Sequence, residues 1–381
     1  MKKIVRITTI PDSLGLLGGQ LNFINQYYEV IGISGDGPSL KKIRESEGIR
    51  TEVVEMTRTI SPLKDLIALY KLYRILKKEH PHIVHTHTPK AGTIGMIAAK
   101  LAGVKHRFHT VAGLPLIVAT GPKRVLLNLV EKFTYKCATK VYPNSHGLKK
   151  IILNEGFTTK EKLHVIGLGS SNGINVEYFN PKLFKKEQLE NLKQNLNIKD
   201  KEFIFTFVGR LVTDKGINEL VEAFEIISKN HDVKLILVGW REEQLDPLLP
   251  ITENILKHNK NIIQVGHQHD VRPYFAFANV LVFPSYREGF PNVVMQAGAM
   301  EVPSIVTDIN GCNEIITNGE NGLIIPVKDV SAIVNAMEFM IQNSEIHETM
   351  RLKSREIIVN NYQHTYIWNE LLKEYQKTEQ G

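Results

Sequence analysis

The stretch from Val280 to Pro303, VLVFPSYREGFPNVVMQAGAMEVP, decides how the rest of the chain is interpreted. Four apolar residues, 280–283, are followed by a break at Pro284, which is typical of a buried strand that ends at the edge of a sheet. Residues 292–300 then favour a helix, and Pro291 suits its first turn, where the missing N–H group costs nothing. The N–H groups at such a helix start lack helical partners and carry partial positive charge. The sequence therefore predicts an anion site there, with phosphate as the usual occupant.

Two polar side chains flank this predicted anion site, Glu288 before the helix and Gln296 inside it. Eight residues of helix are slightly more than two turns, so residue 296 lies on roughly the same face as the loop, about 10 Å further along. A nucleotide-sugar has phosphates in its middle and hydroxyls at both ends, so it has the shape to contact both. The alternative is a Glu that only favours the helix dipole and a Gln on a solvated face.

The motif Glu-Gly-Phe-Pro at residues 288–291 resembles the retaining glycosyltransferases of family 4, which have the GT-B fold. In that family a Glu is followed by Gly-x-Pro and, after seven residues, by a second Glu, which Gln296 replaces here. The resemblance implies that Glu288 meets the donor sugar and that residue 296 meets the ribose hydroxyls. An amide accepts such a hydrogen bond less strongly than a carboxylate, which puts donor affinity in question.

Length and composition indicate a soluble globular protein of two domains. The chain has 381 residues, of which 43% are hydrophobic and 23% charged. No apolar run approaches the roughly 18 residues of a membrane span, and the first residues read as a strand rather than a signal peptide. The two cysteines, Cys137 and Cys312, lack metal-ligand spacing, which fits a reduced, cytoplasmic setting.

The charge is divided unevenly between the two halves of the chain. Residues 1–180 hold 26 Lys and Arg against 13 Asp and Glu, whereas the remainder holds 21 against 27. This asymmetry favours an anionic membrane surface as a partner, reached by a peripheral position on the inner face of the membrane. No nucleic-acid-binding signature accompanies it, so nucleic acid is not an expected partner. A solvated basic surface is the alternative.

The first half alternates predicted strands and helices, which indicates a parallel sheet with helices on both faces. The first strand runs into a predicted loop over residues 11–19 that ends in Gly18 and Gly19. The family resemblance implies that these glycines approach the donor phosphates, although glycines also serve simple turns. The segment His-Thr-His at 85–87 has metal-like spacing, but it lacks nearby carboxylates or cysteines, and the family uses no metal.

A third histidine, His109, lies at the end of another predicted strand. Relatives often have a histidine just before the glycine of this segment, where it reaches the donor sugar, but this chain has Ala112 there. His109 is a candidate to supply the imidazole instead, with a buried core histidine as the alternative. Along a strand, residues 109 and 112 point to opposite faces, so the replacement is not assured.

The second half carries the cationic residues that suit the predicted anion site. A buried strand delivers Gly209 and Arg210, and Lys215 follows. Arg offers a planar fork and Lys a point charge, two ways to grip a diphosphate. The resemblance implies that this pair neutralises the departing nucleoside diphosphate, and that the nucleotide base meets the turn at residues 266–268.

We therefore expect a GT-B protein with two Rossmann-like α/β domains facing across a cleft. The expected bounds are 1–172 for the acceptor-binding domain, 173–360 for the nucleotide-sugar-binding domain and 361–381 for a C-terminal helix that packs back on the first. Four residues are the expected catalytic set: Glu288, Arg210, Lys215 and His109. The expected donor-binding residues are Gly18, Gly19, Gly209, Arg210, Lys215, Gly266, His267, Glu288, Gly289, Phe290, Pro291, Asn292 and Gln296.

The expected activity is retaining, metal-independent transfer of a sugar from a nucleotide-sugar, UDP-linked, to an acceptor hydroxyl. The acceptor expected from the resemblance is a saccharide or lipid-linked saccharide in bacterial surface polysaccharide synthesis, and no cofactor is expected. Two alternatives stay open. One is a non-hydrolysing nucleotide-sugar epimerase, which would act on donor alone. The other is a weakly active donor-binding partner of another transferase, which Gln296 keeps in view. A dehydrogenase is disfavoured because the dinucleotide glycine fingerprint is absent.

Overall fold

The computed structural model describes residues 1–57, 61–114, 116 and 119–379. It divides into two compact units, each with its own sheet. Unit 1 consists of Met1–Gly173 together with His364–Gly381, and unit 2 consists of Ile174–Gln363. The last two residues of unit 1, 380 and 381, lie outside the described residues, as do Pro115, Ile117 and Val118 of the segment after His109.

The described residues form two six-stranded sheets in which every pairing is parallel. The strands of unit 1 are β1 (Lys3–Ile7), β2 (Glu29–Ser34), β3 (Arg50–Val53), β4 (Ile83–Thr86), β5 (His106–Val111) and β6 (Lys140–Pro143). Those of unit 2 are β7 (Phe203–Val208), β8 (Val233–Val238), β9 (Ile262–Gly266), β10 (Val280–Phe283), β11 (Ser304–Thr307) and β12 (Gly322–Ile325).

The two sheets have the same topology. Unit 1 has the order β3-β2-β1-β4-β5-β6, and unit 2 has β9-β8-β7-β10-β11-β12. Each is the doubly wound order of a Rossmann fold, in which the chain reverses direction across the sheet between the first and fourth strands. Ligands of such sheets bind outside the carboxyl ends of the strands at this switch point. The switch points are β1/β4 in unit 1 and β7/β10 in unit 2.

Helices connect the strands. In unit 1 they are α1 (Pro11–Gly15), α2 (Gln20–Asn25), α3 (Pro38–Glu47), α4 (Pro62–Glu79), α5 (Pro89–Leu101), α6 (Gly121–Cys137) and α7 (His146–Asn154). In unit 2 they are α8 (Lys186–Asn195), α9 (Ile217–Ile227), α10 (Pro250–His258), α11 (Arg272–Ala276), α12 (Asn292–Ala299), α13 (Cys312–Ile315), α14 (Val330–Gln342) and α15 (Ser344–Tyr362). The last helix, α16 (His364–Gln376), belongs to unit 1.

Apolar strands and amphipathic helices explain the cores of both units. All four residues of β10 are buried, as expected for a strand covered by helices on both faces. In unit 1 one face of the sheet packs against α4 and α5, and the other packs against α2 and α16. Among the residues that the structure describes, every helix is too short or too polar to cross a lipid bilayer.

Candidate active site

The switch point of unit 2 brings two loops together beyond the sheet. β7 pairs directly with β10, so the loops that follow Val208 and Phe283 start side by side. A short 3-10 turn, Thr213–Lys215, presents Lys215 before α9 begins. The loop after β10 carries Glu288 and leads into α12. The topology thus brings Lys215 and Glu288, which are 73 residues apart in sequence, to the same edge of the unit 2 sheet.

Lys215 and Glu288 form an ion pair at this edge. The Lys215 ammonium donates to Oε1 of Glu288, and both side chains are 16% exposed. The Ser285 hydroxyl donates to the same oxygen over 3.0 Å. The Lys215 ammonium also lies 5.5 Å from the ring centre of Phe283, a cation–π distance. Both charged groups are therefore held in place yet remain accessible to solvent.

The Glu288 loop rests on the segment that follows β11. The Asn310 amide donates to the backbone oxygen of Glu288. Gly311 lies so close beneath the loop that a Cβ there would sit 2.5 Å from the Gly289 oxygen, which only glycine avoids. Cys312 is fully buried behind the pair, and burial, with Glu288 as the second cause, raises the pKa of its thiol well above the ordinary value. The thiol is therefore neutral and packs in the core of unit 2, and it does not act as a nucleophile.

Helix α12 begins at the predicted residue, but Pro291 lies just before its first turn rather than within it. Pro291 is the N-cap, with φ −75° and ψ 112°, and Asn292 is the first helical residue. The N-cap side chain makes no capping hydrogen bond, as a proline has none to offer. The first N–H groups of an α-helix have no acceptor within the helix, and α12 starts only four residues after Glu288. Gln296 lies half-buried further along this helix.

Arg210 reaches the same edge from β7 but has different partners. Its guanidinium donates to Glu242, and it lies 4.0 Å from Oδ1 of Asp214. Asp214 in turn pairs with Arg287 over 2.7 Å. Arg210 and Lys215 thus belong to adjoining acid–base pairs within one edge, and Arg210 does not contact Glu288 directly.

Three neighbouring strands end in the same way, with Val-Gly and then a large polar or aromatic residue. β7 leads to Arg210, β8 to Trp240 and β9 to His267. Gly239 is required here, because a Cβ on it would lie 1.7 Å from the Gly209 oxygen. Trp240 is 47% exposed, and its ring centre is 5.2 Å from that of His267.

Sequence reasoning missed Trp240. The repeated Val-Gly-x pattern at three strand ends is the signal that would have found it. Other members of the site that were missed are Ser285, Asn310 and Cys312, whose roles depend on contacts distant in sequence.

Gly18 and Gly19 lie in unit 1, between α1 and α2. The predicted loop 11–19 therefore contains a short helix. The Gly19 N–H donates to both oxygens of the Glu47 carboxylate, at 2.8 and 3.0 Å. Two features favour glycine at position 19: its φ is positive, at 77°, and the Trp368 ring packs so closely that it leaves no room for a Cβ. In this arrangement the Gly19 N–H binds a side chain of its own unit.

His109 lies in the interior of unit 1. It is 2% exposed and its Nδ1 is 2.8 Å from the Thr86 hydroxyl. Burial lowers the pKa of His109 to about 4, so its imidazole is neutral at pH 7. Ala112, in contrast, is exposed. This placement favours the core histidine of the two alternatives for His109.

The switch point of unit 1 contains a buried arginine without a carboxylate partner among the described residues. Arg6 donates to Nε2 of His87 at 2.9 Å, to the Tyr375 hydroxyl at 3.1 Å and to Oε1 of Gln20 at 2.6 Å. His85 shares the Tyr375 hydroxyl at 2.6 Å. Burial holds the pKa values of His85 and His87 well below the ordinary value for histidine, and the nearby charge of Arg6 is the second cause.

Metal ligands do not gather anywhere in the described part of the chain: no group of three or more His, Cys, Asp or Glu side chains there has the arrangement to hold an ion. The histidines at 85 and 87 contact Arg6, threonine and tyrosine instead.

Comparison with known proteins agrees with this architecture. The profile of the family "Glycosyl transferases group 1" matches residues 188–357, and that of "Glycosyl transferase 4-like" matches residues 20–145. Among solved structures, a glycosyltransferase from Rickettsia africae superimposes with a TM-score of 0.83 at 20% identity, covering 99% of this chain and 98% of that one. Anabaena HepE, solved in complex with UDP, superimposes with a TM-score of 0.81 at 17% identity, covering 99% and 100%. The two units therefore form a GT-B fold.

Two further relatives have a higher sequence identity to this chain than these solved structures have. The capsular polysaccharide biosynthesis glycosyltransferase CapM of Staphylococcus aureus is 36% identical over 379 residues, 98% of this chain and 97% of CapM. A UDP-Gal:α-D-GlcNAc-diphosphoundecaprenol α-1,3-galactosyltransferase of Escherichia coli is 32% identical over 317 residues, 81% of this chain and 79% of that protein. The chain belongs to the group 1 glycosyltransferases and is a glycosyltransferase of the GT-B fold.

Proposed function

We propose that this protein transfers a sugar from a UDP-sugar to a hydroxyl of a lipid-linked saccharide in the synthesis of a bacterial capsule or related surface polysaccharide. We further propose that it retains the anomeric configuration and requires no divalent metal. Unit 2 binds the donor and unit 1 binds the acceptor. The observation that carries the proposal is the convergence of Lys215, Glu288 and the start of α12 at the switch point of one sheet.

The diphosphate of the donor fits this edge of unit 2. Cleavage of the glycosyl phosphate bond leaves negative charge on the diphosphate. Lys215 and Arg210 supply positive charge, and the first N–H groups of α12 supply hydrogen-bond donors. Because ion pairs and backbone hold these groups in advance, little reorganisation accompanies the reaction. This is the role that a divalent cation plays in other transferases, and it supports metal independence.

Glu288 serves the sugar end of the donor. Its Oε1 is held by Lys215 and Ser285, which leaves the rest of the carboxylate to accept hydrogen bonds from sugar hydroxyls. Its negative charge also favours the positive charge that develops on the sugar ring. The most reactive side chain next to the pair, Cys312, is buried and neutral, so we propose attack on the same face as the leaving group, with a phosphate oxygen as base.

The base of the nucleotide has a platform at the ends of β8 and β9. Trp240 and His267 are exposed aromatic rings at neighbouring strand ends, and aromatic rings stack on nucleobases. Gly266 places backbone groups at the same turn. Gln296 is proposed to meet the ribose hydroxyls from α12, with one amide in place of a carboxylate.

The relatives support the donor and the acceptor. The E. coli relative is named for UDP-Gal and a diphosphoundecaprenol-linked acceptor, and a Campylobacter jejuni relative, 27% identical over 325 residues, for another diphospho-undecaprenol acceptor. CapM is named for capsular polysaccharide biosynthesis. A lipid-linked acceptor is anchored in a membrane, so the enzyme must reach it at the membrane surface. We propose a peripheral position on the cytoplasmic, anionic face of that membrane.

The surface of unit 1 supports that position. Helix α6 exposes the apolar residues Val125, Leu129 and Phe133, and the exposed Lys132 and Lys136 lie on the same helix. Apolar side chains beside lysines suit an anionic lipid surface. Sedimentation with vesicles of phosphatidylglycerol against phosphatidylcholine tests this, and equal binding to both would contradict it.

The activity is tested with a panel of UDP-sugars and a diphosphoundecaprenol-linked GlcNAc acceptor, in EDTA and in Mg²⁺. We expect transfer with one UDP-sugar, at equal rates in both buffers, and an α-linked product from an α-linked donor by NMR. Transfer that stops in EDTA contradicts metal independence, and an inverted linkage contradicts retention. Product formed from donor alone would identify an epimerase.

A further inference from the structure

Unit 1 contains an apolar groove that the reaction described above does not use. It has a volume of about 590 Å³ and lies over α5, between α4 and α6. Its walls are mostly aliphatic and include Leu66, Leu69, Ile94, Ile97, Leu127 and Val130. Of these, Leu66 is 61% exposed. An aliphatic groove of this volume is in the range of small-molecule sites.

The groove opens at the edge of the sheet where the substrate is expected. Its lining takes in Pro62, Pro89 and Lys90, the first residues of α4 and α5. Helix α5 starts directly after β4, so this end of the groove borders the carboxyl edge of the unit 1 sheet. A ligand that lies in the groove therefore has one end at the switch point of unit 1.

The charges around the groove suit an anionic ligand with an apolar chain. Exposed cations lie on the helices on either side, Lys64 and Lys71 on α4 and Lys123 on α6. Two carboxyl groups line the groove. Asp65 is paired with Lys90 over 2.7 Å, and burial raises the pKa of Glu131, which lowers its tendency to ionise.

We propose that this groove holds the first isoprenoid units of the lipid-linked acceptor, with the phosphate end at the Lys90 end of the groove. The inference rests on the proposed function and names the part of the acceptor that unit 1 recognises. A single branched hydrocarbon chain matches a concave aliphatic channel, whereas a bilayer surface would meet the outermost side chains instead. The basic flanks match the phosphates.

Two double substitutions with equal charge separate these cases. Leu66→Glu with Leu126→Glu places two carboxylates in the groove, since both residues line it. Leu63→Glu with Leu129→Glu places two carboxylates on the same helices at positions 79% and 61% exposed that are outside the groove lining. All four leucines are exposed, so both variants are expected to fold, which circular dichroism and thermal unfolding verify.

The probe is tritiated farnesyl diphosphate, measured by equilibrium dialysis below its micelle concentration. We expect the groove variant to bind it at least tenfold more weakly than the wild type and the control variant to bind it within twofold. Inorganic pyrophosphate and farnesol, which carry the head or the chain alone, are expected to compete at least tenfold less well than farnesyl diphosphate.

Three results would overturn the proposal. They are equal loss of binding in both double variants, competition by pyrophosphate as strong as that by farnesyl diphosphate, and a wild-type dimer that the groove variant dissociates. The first indicates unspecific binding to exposed apolar side chains, the second a phosphate site alone and the third an interface between copies of this chain. The assay needs neither donor nor turnover, so absence of sugar transfer would count against the proposed function and leave this result intact.

Discussion

The two units have the same strand order and the same switch point, yet the chemistry at the two switch points differs. In unit 2 the edge carries accessible ion pairs, with Lys215 on Glu288 and Arg210 on Glu242. In unit 1 the corresponding edge carries threonine hydroxyls, with those of Thr9 and Thr88 2.6 Å apart, above the fully buried Arg6.

We propose that this difference adapts one fold to two kinds of ligand. A diphosphate has fixed charge whatever sugar it carries, and fixed cations at the surface match it. A saccharide is neutral and rich in hydroxyls, and hydroxyl and backbone groups match it. Arg6 is charged but contacts neutral partners in the interior, so its role in unit 1 is to hold β1, β4 and α16 together. We propose that the cations at the switch point of unit 2 act on ligand, whereas Arg6 at the switch point of unit 1 acts on structure.

The largest expected effect is at Lys215. Lys215→Ala is expected to lower turnover about 100- to 1000-fold, as removal of a preorganised charge contact does. Its effect on the free energy of unfolding is expected to be about 1 kcal/mol, because the pair is partly solvated. Initial rates and urea unfolding measure both. Lys229→Ala, at an exposed position after α9, is the control, and equal rates for the two variants would remove Lys215 from the mechanism.

Acid is expected to destabilise unit 1 through the buried His109. The pKa of His109 is lowered by burial to about 4, against about 6.5 in an unfolded chain. Between these values only the unfolded chain takes up the proton. The stabilisation from the neutral imidazole is therefore full above pH 6.5 and is lost as pH falls toward 4, by about 3 kcal/mol in total.

The two tryptophans of the chain make this measurable, because Trp368 lies in unit 1 and Trp240 in unit 2. In a Trp240→Phe background, urea unfolding followed by Trp368 fluorescence at pH 7.5 and 4.5 reports unit 1. We expect His109→Gln to reduce the pH dependence, part of which remains because the pKa values of His85 and His87 are also lowered. His164→Gln, at a solvated site, is the matched control and is expected to keep the pH dependence of the wild type. An equal pH dependence in the His109 variant would contradict the assignment.

Arg6 should matter for stability more than any cation at the unit 2 edge. Arg6→Met removes three hydrogen bonds and leaves buried partners unsatisfied, so we expect a loss of about 2 kcal/mol in the free energy of unfolding of unit 1. The same Trp368 signal measures it, with Arg44→Met on the exposed side of α3 as the control. If Arg210→Ala destabilised the protein as much, the division between ligand-binding and structural cations would fail.

The smallest expected effect is at Gln296. Gln296→Glu restores the second acid of the family motif and should lower the KM for the donor by about threefold, since a carboxylate accepts hydroxyl hydrogen bonds more strongly than an amide. The turnover number is expected to stay the same, because residue 296 is far from the reacting bond. A KM that rises would mean that the amide is matched to its ligand as it stands.

Local pattern predicted much of the fold and singled out Lys215 and Glu288, which the structure pairs at the switch point of unit 2. The apolar run before Pro284 and the helix after Pro291 were visible because each depends on neighbours in sequence. The position of Lys215 beside Glu288 is consistent with the topology that these strands imply. Trp240 was missed because its position in the site is apparent only from its contact with His267, which follows the neighbouring strand β9.

Arg6 shows where sequence reasoning ends. Arginine is rarely buried without a charged partner, yet Arg6 of the strand Lys3–Ile7 is fully buried against Tyr375, 369 residues away. No local pattern reports a partner at that distance. His109 is similar, since its interior position follows from the packing of α5 over β5.

The central claim is that unit 2 binds the diphosphate through its own fixed cations without a divalent metal. Calorimetric titration of UDP into the wild type and Lys215→Ala, each in EDTA and in Mg²⁺, tests it most directly. The account predicts that the wild type binds UDP with the same affinity in both buffers and that Lys215→Ala binds at least tenfold more weakly. Binding that appears only with Mg²⁺, or that is unchanged in Lys215→Ala, would contradict it.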